Sequence, residues 1–281
     1  LDFSGKPLMA LLLQYQDGAS VPLEVEGITP DKVRDQSLAE IEQLPVFHGN
    51  EPGTLADFFQ VTGDPTDETI VWSGNLSGVH WIGAGMQHGA IKVEGDVGRH
   101  VGSEMAGGSI EVTGDASDWV GAEMQGGMIH VAGRAGHLIG SAYRGSPQGM
   151  VGGTIRIDGD VGNEIGHSIR RGLLIVGGNC GDLIGFNMLA GTICVFGESG
   201  IRHGAGMRRG TLAFLGSERP KLLPTFRYAC RYQPDMLRLL LRRLVQLGMD
   251  IPGTLADSEF DLYHGDLIEG GRGEVLMPAG D

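Results

Sequence analysis

Gly108-Ser-Ile-Glu-Val-Thr-Gly-Asp-Ala-Ser-Asp-Trp-Val-Gly-Ala-Glu-Met-Gln-Gly126 is followed at once by Gly127-Met-Ile-His-Val-Ala-Gly-Arg-Ala-Gly136, and the second copy repeats the first position by position. Each unit reads glycine, any residue, Ile or Leu, any residue, Val, Ile or Phe, any residue, glycine and a polar residue. A hydrophobic-glycine pair and a methionine then complete it. Units open at Gly89, Gly108, Gly127, Gly153, Gly172, Gly191 and Gly210, in steps of 19, 19, 26, 19, 19 and 19 residues. The long step ends in Gly145-Ser-Pro-Gln-Gly-Met-Val151, which reads as a surface excursion from a strict stack. A weaker unit begins at Ile70, so the repeat occupies Ile70 to Gly216.

A fixed period of this length marks a solenoid, in which each unit buries its apolar side only against its neighbours. The alternation Ile91/Val93, Ile110/Val112, Ile129/Val131, Ile155/Ile157 and Ile193/Val195 has period two, the strand period. Glycines at the corners permit the positive φ that tight turns require. The expected fold class is therefore all-β, a right-handed parallel β-helix of about seven coils, roughly 30–35 Å long at about 4.8 Å per coil. Its interior is expected to be columns of like side chains. One runs Ile91, Ile110, Ile129, Ile155, Leu174, Ile193, Leu212; another runs Met86, Met105, Met124, Tyr143, Ile169, Met188, Met207.

The chain has 281 residues and a formal net charge of −14, unevenly distributed. Residues 1–68 are strongly acidic, the solenoid is nearly balanced, Arg219 to Arg243 is basic, and the end of the chain is acidic again. Such a balance argues against nucleic acid as a partner. No apolar run is long enough for a bilayer span, and Leu1-Asp-Phe-Ser4 lacks the marks of a secretory signal, so a cytoplasmic location is expected. Cys180, Cys194 and Cys230 lack Cys-x-x-Cys spacing, which fits free thiols better than disulfides or zinc.

Open ends of a β-helix expose strand edges and an apolar cross-section, so terminal segments must cover them. We assign residues 1–68 to an N-terminal α+β cap, 69–216 to the solenoid and 217–281 to a C-terminal helix and tail. In the cap, strands are expected at Leu8 to Tyr15 and Val21 to Val25 around the turn Gln16-Asp17-Gly18, with helix starts at Thr29-Pro30 and Ser37. After the solenoid, Lys221 to Tyr232 reads as irregular. Pro234 then opens a helix with Leu237, Leu240, Leu241 and Leu244 on one face, which Gly248 ends and which closes the second end, docks on a partner, or packs against its own chain with Arg238 and Arg242 on a solvated face. The last residues read as a strand pair or an extended tail.

No catalytic constellation emerges. Asp96, Asp115, Asp160, Asn179 and Glu198 recur after a corner glycine, but Arg134 interrupts the series, and Asx-turn hydrogen bonding explains it better than calcium. The histidines lack metal-ligand spacing, and the Gly-x-Gly runs do not open a helix after a strand, which argues against a dinucleotide site. No metal is expected. What remains is arginine placement. Arg170-Arg171 and Arg208-Arg209 occupy the two positions before a coil opening, two coils apart, which puts them roughly 10 Å apart on one face. Arg202 and Arg144 are candidates to join them. Arginine pairs in bidentate fashion with carboxylate and phosphate, so the row suits a polyanion, unless it serves only as a solvated edge or a salt-bridging contact with a neighbouring polypeptide.

The coil Gly-x-x-Gly-x-x-Met-x-Gly-Gly-x-Ile-x-Val-x-Gly-Asp-x-Gly resembles the GXGXG domain of the glutamate synthase large subunit and the C subunit of formylmethanofuran dehydrogenase. The second resemblance is better, because Gly265-Asp266-Leu267 and Gly271-Arg272-Gly273-Glu274-Val275-Leu276 look like that subunit's closing motif. The N-terminal segment and the basic Arg219 to Arg243 stretch look most similar to the C subunit of the bacterial formyltransferase/hydrolase complex.

That resemblance implies a structural subunit without a reaction centre in a cytoplasmic hetero-oligomer of one-carbon metabolism. Its partners would be a formyltransferase subunit and an amidohydrolase-like subunit. It also implies a furan-type cofactor, methylofuran, whose polyglutamate arm the row Arg170, Arg171, Arg208, Arg209, Arg202 and Arg144 would contact. The rival classes are a glutamate synthase GXGXG subunit and a carbohydrate-active enzyme on a β-helix. The second would need an exposed acid cluster in a cleft, which the sequence does not offer.

Overall fold

The computed structural model describes residues 10–16, 21–246 and 248–280. The repeat folds as a ladder of short parallel strands: Thr69–Ser73, Ala90–Val93, Ser109–Val112, Met128–Val131, Thr154–Ile157, Leu173–Val176, Thr192–Val195 and Arg209–Phe214. Neighbours pair in register at equivalent repeat positions: Ile91 opposite Ile110, Ile110 opposite Ile129, Ile129 opposite Ile155, Ile155 opposite Leu174, Leu174 opposite Ile193, and Ile193 opposite Leu212. A second line of parallel bridges joins Leu76, Val97, Ala116, Ala135, Val161, Cys180 and Ser199, so successive coils are tied on more than one side. The expected isoleucine column is thus present, and all of its members are buried.

Glycine is required where coils approach most closely. Gly127 has φ +88°, and a Cβ there would lie 2.7 Å from the Gly108 carbonyl oxygen and 2.7 Å from Met105 Cε. Both the backbone conformation and the space therefore exclude a larger residue. The thioethers that crowd it belong to the second interior column, which differs from expectation at one position. The column runs through Met150, not Tyr143, because the extra residues lie before Met150. The Arg170 amide donates to the Met150 carbonyl just as the Val151 amide donates to that of Met124. Met86, Met105, Met124, Met150, Met188 and Met207 are fully buried, and their flexible chains fill the irregular space beside the stiff isoleucines. Tyr143 is displaced outward.

The flanking segments extend the ladder instead of only closing it. Leu11–Tyr15 pairs parallel with Thr69–Ser73 and antiparallel with Phe59–Thr62. Leu23–Glu24, shorter than the strand expected there, pairs parallel with Val79–His80 in a separate four-stranded sheet. Leu8 and the turn at Asp17-Gly18 lie outside the described residues. Two short helices, Pro30–Val33 and Leu38–Glu42, follow the predicted starts. The second carries a capping box between Ser37 and Glu40, which satisfies otherwise orphaned amides at its first turn.

At the other end, the segment expected to be irregular contains the strand Arg227–Tyr232, paired antiparallel with Phe260–Gly265. That strand pairs antiparallel with Arg272–Pro278, which lies parallel to Arg209–Phe214 and continues the ladder. The tail is therefore a strand pair built onto the solenoid, and thirteen strands form one continuous sheet among the described residues. Of the placements expected for the helix Asp235–Gln246, packing against its own chain is the one observed. Its buried Leu237, Leu241 and Leu244 pack with Ile175, Cys194, Ala213, Phe260, Leu262 and Leu276 on the outer face of the sheet. The register explains the placement. Outward positions that carry Lys92, Glu111, His130 and Arg156 in earlier coils become Ile175, Cys194 and Ala213 where the helix lies. Such a face must be covered, and the helix's apolar stripe covers it.

Candidate functional site

The four arginines that end two coil openings converge. Arg170, Arg171, Arg208 and Arg209 line one open groove of about 570 Å³, with Leu189 and Ala190 of the intervening coil on its floor. The backbone register dictates this. Residues 170/171, 189/190 and 208/209 occupy the same repeat position, and the Arg170 and Arg208 amides are each held by the methionine carbonyl of the coil before, Met150 and Met188.

A fifth cation, Arg272, lines the same groove. It stands directly opposite Arg209 in the parallel pairing of Arg209–Phe214 with Arg272–Pro278. Arg272-Gly273 repeats the Arg-Gly pair of Arg171-Gly172 and Arg209-Gly210, a signal visible in the sequence once the closing strand is recognised as a further rung. Arg144 and Arg202 do not line the groove. Arg202 occupies another corner, with φ +63°, in the column of Trp81, His100, Trp119, Leu138, Glu164 and Leu183. Arg144 lies in the excursion, whose Gln148 side-chain oxygen accepts a 3.2 Å hydrogen bond from Arg170 Nη1.

The groove is under-neutralised. Arg208 Nε lies 3.4 Å from Glu269 Oε2. Among the described residues no ion pair joins Arg171, Arg209 or Arg272 to a carboxylate. Like charges directly opposite on neighbouring strands are destabilising, so the Arg209 and Arg272 pairing is a local cost that an anion in the groove would offset. All five guanidiniums are exposed, and each can offer a planar fork to carboxylate or phosphate.

The acids and histidines at the coil corners are engaged in the stack itself. The acidic ladder is structural, but by a different bond from the Asx turn. Asp96 Oδ1 accepts from the Asp115 amide at 2.8 Å, Asp115 Oδ1 from Arg134, Asp160 Oδ1 from Asn179, and Asn179 Oδ1 from Glu198. Each side chain thus caps the same corner one coil further on. A parallel series runs through Asp118, Asn163 and Asp182, and His80 and His137 accept there through Nδ1. Burial holds His203 down at about 4, opposed by its bond to the Gly200 carbonyl and by Asp182. Cys180 and Cys194 are buried free thiols, the second pushed up to about 12 by burial, while Cys230 is exposed. No group of three or more His, Cys, Asp or Glu able to hold a metal ion occurs among the described residues.

A second feature is one that sequence reasoning does not anticipate. Trp81 and His100 stack with centroids 4.0 Å apart, His100 and Trp119 follow at 6.1 Å, and Tyr143 reaches back from the excursion to within 5.0 Å of Trp119. The Tyr143 hydroxyl donates to Ser103 Oγ at 2.9 Å and lies 2.9 Å from His100 Nδ1. Burial, with help from nearby His80 and Arg99 and against Asp118, lowers His100 to about 4. Burial raises Tyr143 to about 12. The 19-residue spacing of Trp81, His100 and Trp119 is the signal that could have revealed the column; the position of Tyr143 cannot be read until the excursion is placed.

Comparison with known proteins agrees with this architecture. Residues 71–225 match the GXGXG motif family model. The chain is 36% identical over 96 residues to the C subunit of a tungsten-containing formylmethanofuran dehydrogenase 2 of Methanothermobacter thermautotrophicus, covering 33% of this chain and 36% of that one. It is 39% identical over 95 residues to the C subunit of the molybdenum-containing formylmethanofuran dehydrogenase 1 of the same organism, covering 34% and 24%. The matched stretch spans about a third of the length of the first of these curated relatives and about a quarter of the second. Over nearly its whole length it superposes on one chain of the X-ray crystal structure of the formyltransferase/hydrolase complex (FhcABCD) from Methylorubrum extorquens in complex with methylofuran. The TM-score is 0.88 and the identity 33%, covering 96% of this chain and 100% of that chain. By the family-model match over more than half of its length, the chain belongs to the GXGXG family, and its relatives include C subunits of formylmethanofuran dehydrogenases.

Proposed function

We propose that this chain is the non-catalytic scaffolding subunit of a formyltransferase/hydrolase complex, holding a formyltransferase subunit and an amidohydrolase-like subunit that carry the chemistry, in the cytoplasm. Its body is read as a right-handed parallel β-helix of about seven coils, with 1–68 as cap, 69–216 as solenoid and 217–281 as the C-terminal segment that widens one face. The arginine groove is assigned to the polyglutamate arm of a methylofuran-type cofactor. One observation carries this reading: five arginines line a single groove, and among the described residues only Arg208 has an internal carboxylate counter-ion. A string of carboxylates supplies the missing negative charge in the geometry arginine prefers. The scaffold role is supported by the use already made of the chain's carboxylates and histidines, which bridge one coil to the next.

Copurification from the native host with mass determination tests the assembly, and formyltransferase and amidohydrolase-like partners are the expected result. The simultaneous substitutions Arg171→Glu and Arg209→Glu test the groove: cofactor retention should fall while the assembly persists. Unchanged retention would sink the assignment.

A further inference from the structure

A second cleft adjoins the arginine groove at Arg208. It measures about 400 Å³, is lined by Pro147, Ser168, Asn187, Gly206 and Glu269, and shares both Leu189 and Arg208 with the first. The two therefore adjoin at Arg208 and Leu189. One side is cationic; the other is polar and, apart from Glu269, carries no charge of its own. Glu269 stands at this junction with its carboxylate on Arg208.

Its position is fixed by the backbone. Glu269 ends the short turn Leu267–Glu269, which Asp266 anchors by accepting from the Ile268 amide at 3.0 Å with one oxygen and from the Gly206 amide at 3.1 Å with the other. The turn is thereby tied to the last coil, so the Glu269 carboxylate is presented to the arginine row as an incoming ligand's carboxylate would be. The contact itself is loose: 3.4 Å, with both side chains more than a third exposed. An exposed pair of this kind is readily exchanged for a better anion.

Resting on the assignment of the groove to a polycarboxylate, we infer that Glu269 is an internal competitor that occupies Arg208 until a ligand carboxylate displaces it. It acts as a gate between the cationic groove and the polar cleft. A short polyanion fits beside the free Arg171, Arg209 and Arg272. A longer one must open the Arg208 contact to run on past Leu189 toward Ser168 and Asn187. The gate therefore penalises long polyanions more than short ones.

The test uses the full chain and synthetic oligoglutamates of three and eight residues, titrated calorimetrically at low salt so that surface electrostatics are not screened away. Glu269→Gln should tighten octaglutamate binding about three- to tenfold and triglutamate binding much less. The Arg208→Gln variant should remove that gain, so that Arg208→Gln and Arg208→Gln/Glu269→Gln bind alike. An unchanged melting temperature for Glu269→Gln shows that the turn survives. If Glu269→Gln leaves octaglutamate affinity unchanged or weaker while Arg171→Glu/Arg209→Glu abolishes binding, the gate is wrong and the groove assignment stands. If the gain persists in the Arg208→Gln background, Glu269 acts only through general repulsion, and the gate is again wrong. If neither wild type nor Glu269→Gln binds either peptide, the groove assignment fails and the gate with it.

Discussion

Two columns on the coil surface, built from the same repeat, have opposite characters. The aromatic column at Trp81, His100 and Trp119 is self-sufficient: its rings stack on one another, Tyr143 covers them, and the polar atoms find partners in Ser103 and His100. The arginine column at Arg171, Arg209 and Arg272 is the reverse, since Arg209 and Arg272 stand opposite one another and all three lack counter-ions among the described residues. A solenoid repeats whatever it places at one position, so favourable like-with-like contacts accumulate into a stabilising stack. Unfavourable ones accumulate into an unsatisfied site. The difference separates surface that serves the fold from surface for which we propose a ligand.

The sharpest way to break this comparison is to remove one member of each column and measure stability. Trp119→Ala deletes the centre of the stack and should cost about 3 kcal/mol in denaturant unfolding. Arg171→Glu/Arg209→Glu should change it by less than about 0.5 kcal/mol, because neither side chain has a carboxylate partner to lose. Equal effects would mean that the columns do not differ in role. For ligand binding the order inverts. The double charge reversal should weaken octaglutamate at least about a hundredfold, or roughly 2.7 kcal/mol, whereas Trp119→Ala should leave affinity unchanged wherever the chain remains folded.

Much of this is legible in the sequence, and the gaps have identifiable causes. A strict 19-residue step fixes which residues share a column, so the isoleucine ladder and the convergence of Arg170, Arg171, Arg208 and Arg209 can be read without coordinates. The seven-residue excursion breaks the count. Periodicity shows that residues have been inserted but not where the coil is interrupted, so counting alone puts Tyr143 at a position that Met150 occupies. Arg272 escapes the count because the closing strand returns to the ladder after a long detour through Arg227–Tyr232 and Phe260–Gly265. That pairing is long-range and has no period to announce it. The helix is recognisable from its leucines, but its docking face depends on the change at Ile175, Cys194 and Ala213, which lies in the strands and not in the helix.

Smaller effects refine the aromatic side. Tyr143→Phe keeps the ring and loses the hydroxyl's bonds to Ser103 and His100, so about 1 kcal/mol should be lost. Acid should weaken the fold at this column and at His203. His100 and His203 have an ordinary value of 6.5 and are held at about 4 in the folded chain, chiefly by burial. Between those limits the unfolded chain binds more protons than the folded one. The contribution of these two side chains is therefore fully present above about pH 6.5 and drains away as pH falls toward about 4. Unfolding midpoints measured from about pH 7.5 down to about 4.5 should decline, and His203→Gln should flatten part of the slope. A slope unaffected by both His203→Gln and His100→Gln would remove these two groups as its source.

The smallest predicted effect is the most pointed test of the arginine side. Ala190 occupies the rung between Arg171 and Arg209, where the row is interrupted. Ala190→Arg would complete it, leaving successive guanidiniums about one strand spacing apart, roughly 4.8 Å. If the column is a carboxylate cradle, the added charge should tighten octaglutamate binding about two- to fivefold. It should also lower stability in the absence of ligand by a few tenths of a kcal/mol through like-charge opposition. Both changes should shrink as salt rises and the added charge is screened. If the column is instead a contact edge for another polypeptide of the complex, the extra side chain intrudes on a fitted surface. In that case assembly weakens while octaglutamate affinity stays the same, so the direction of these two readouts separates a ligand groove from an interface without disturbing the five arginines already there.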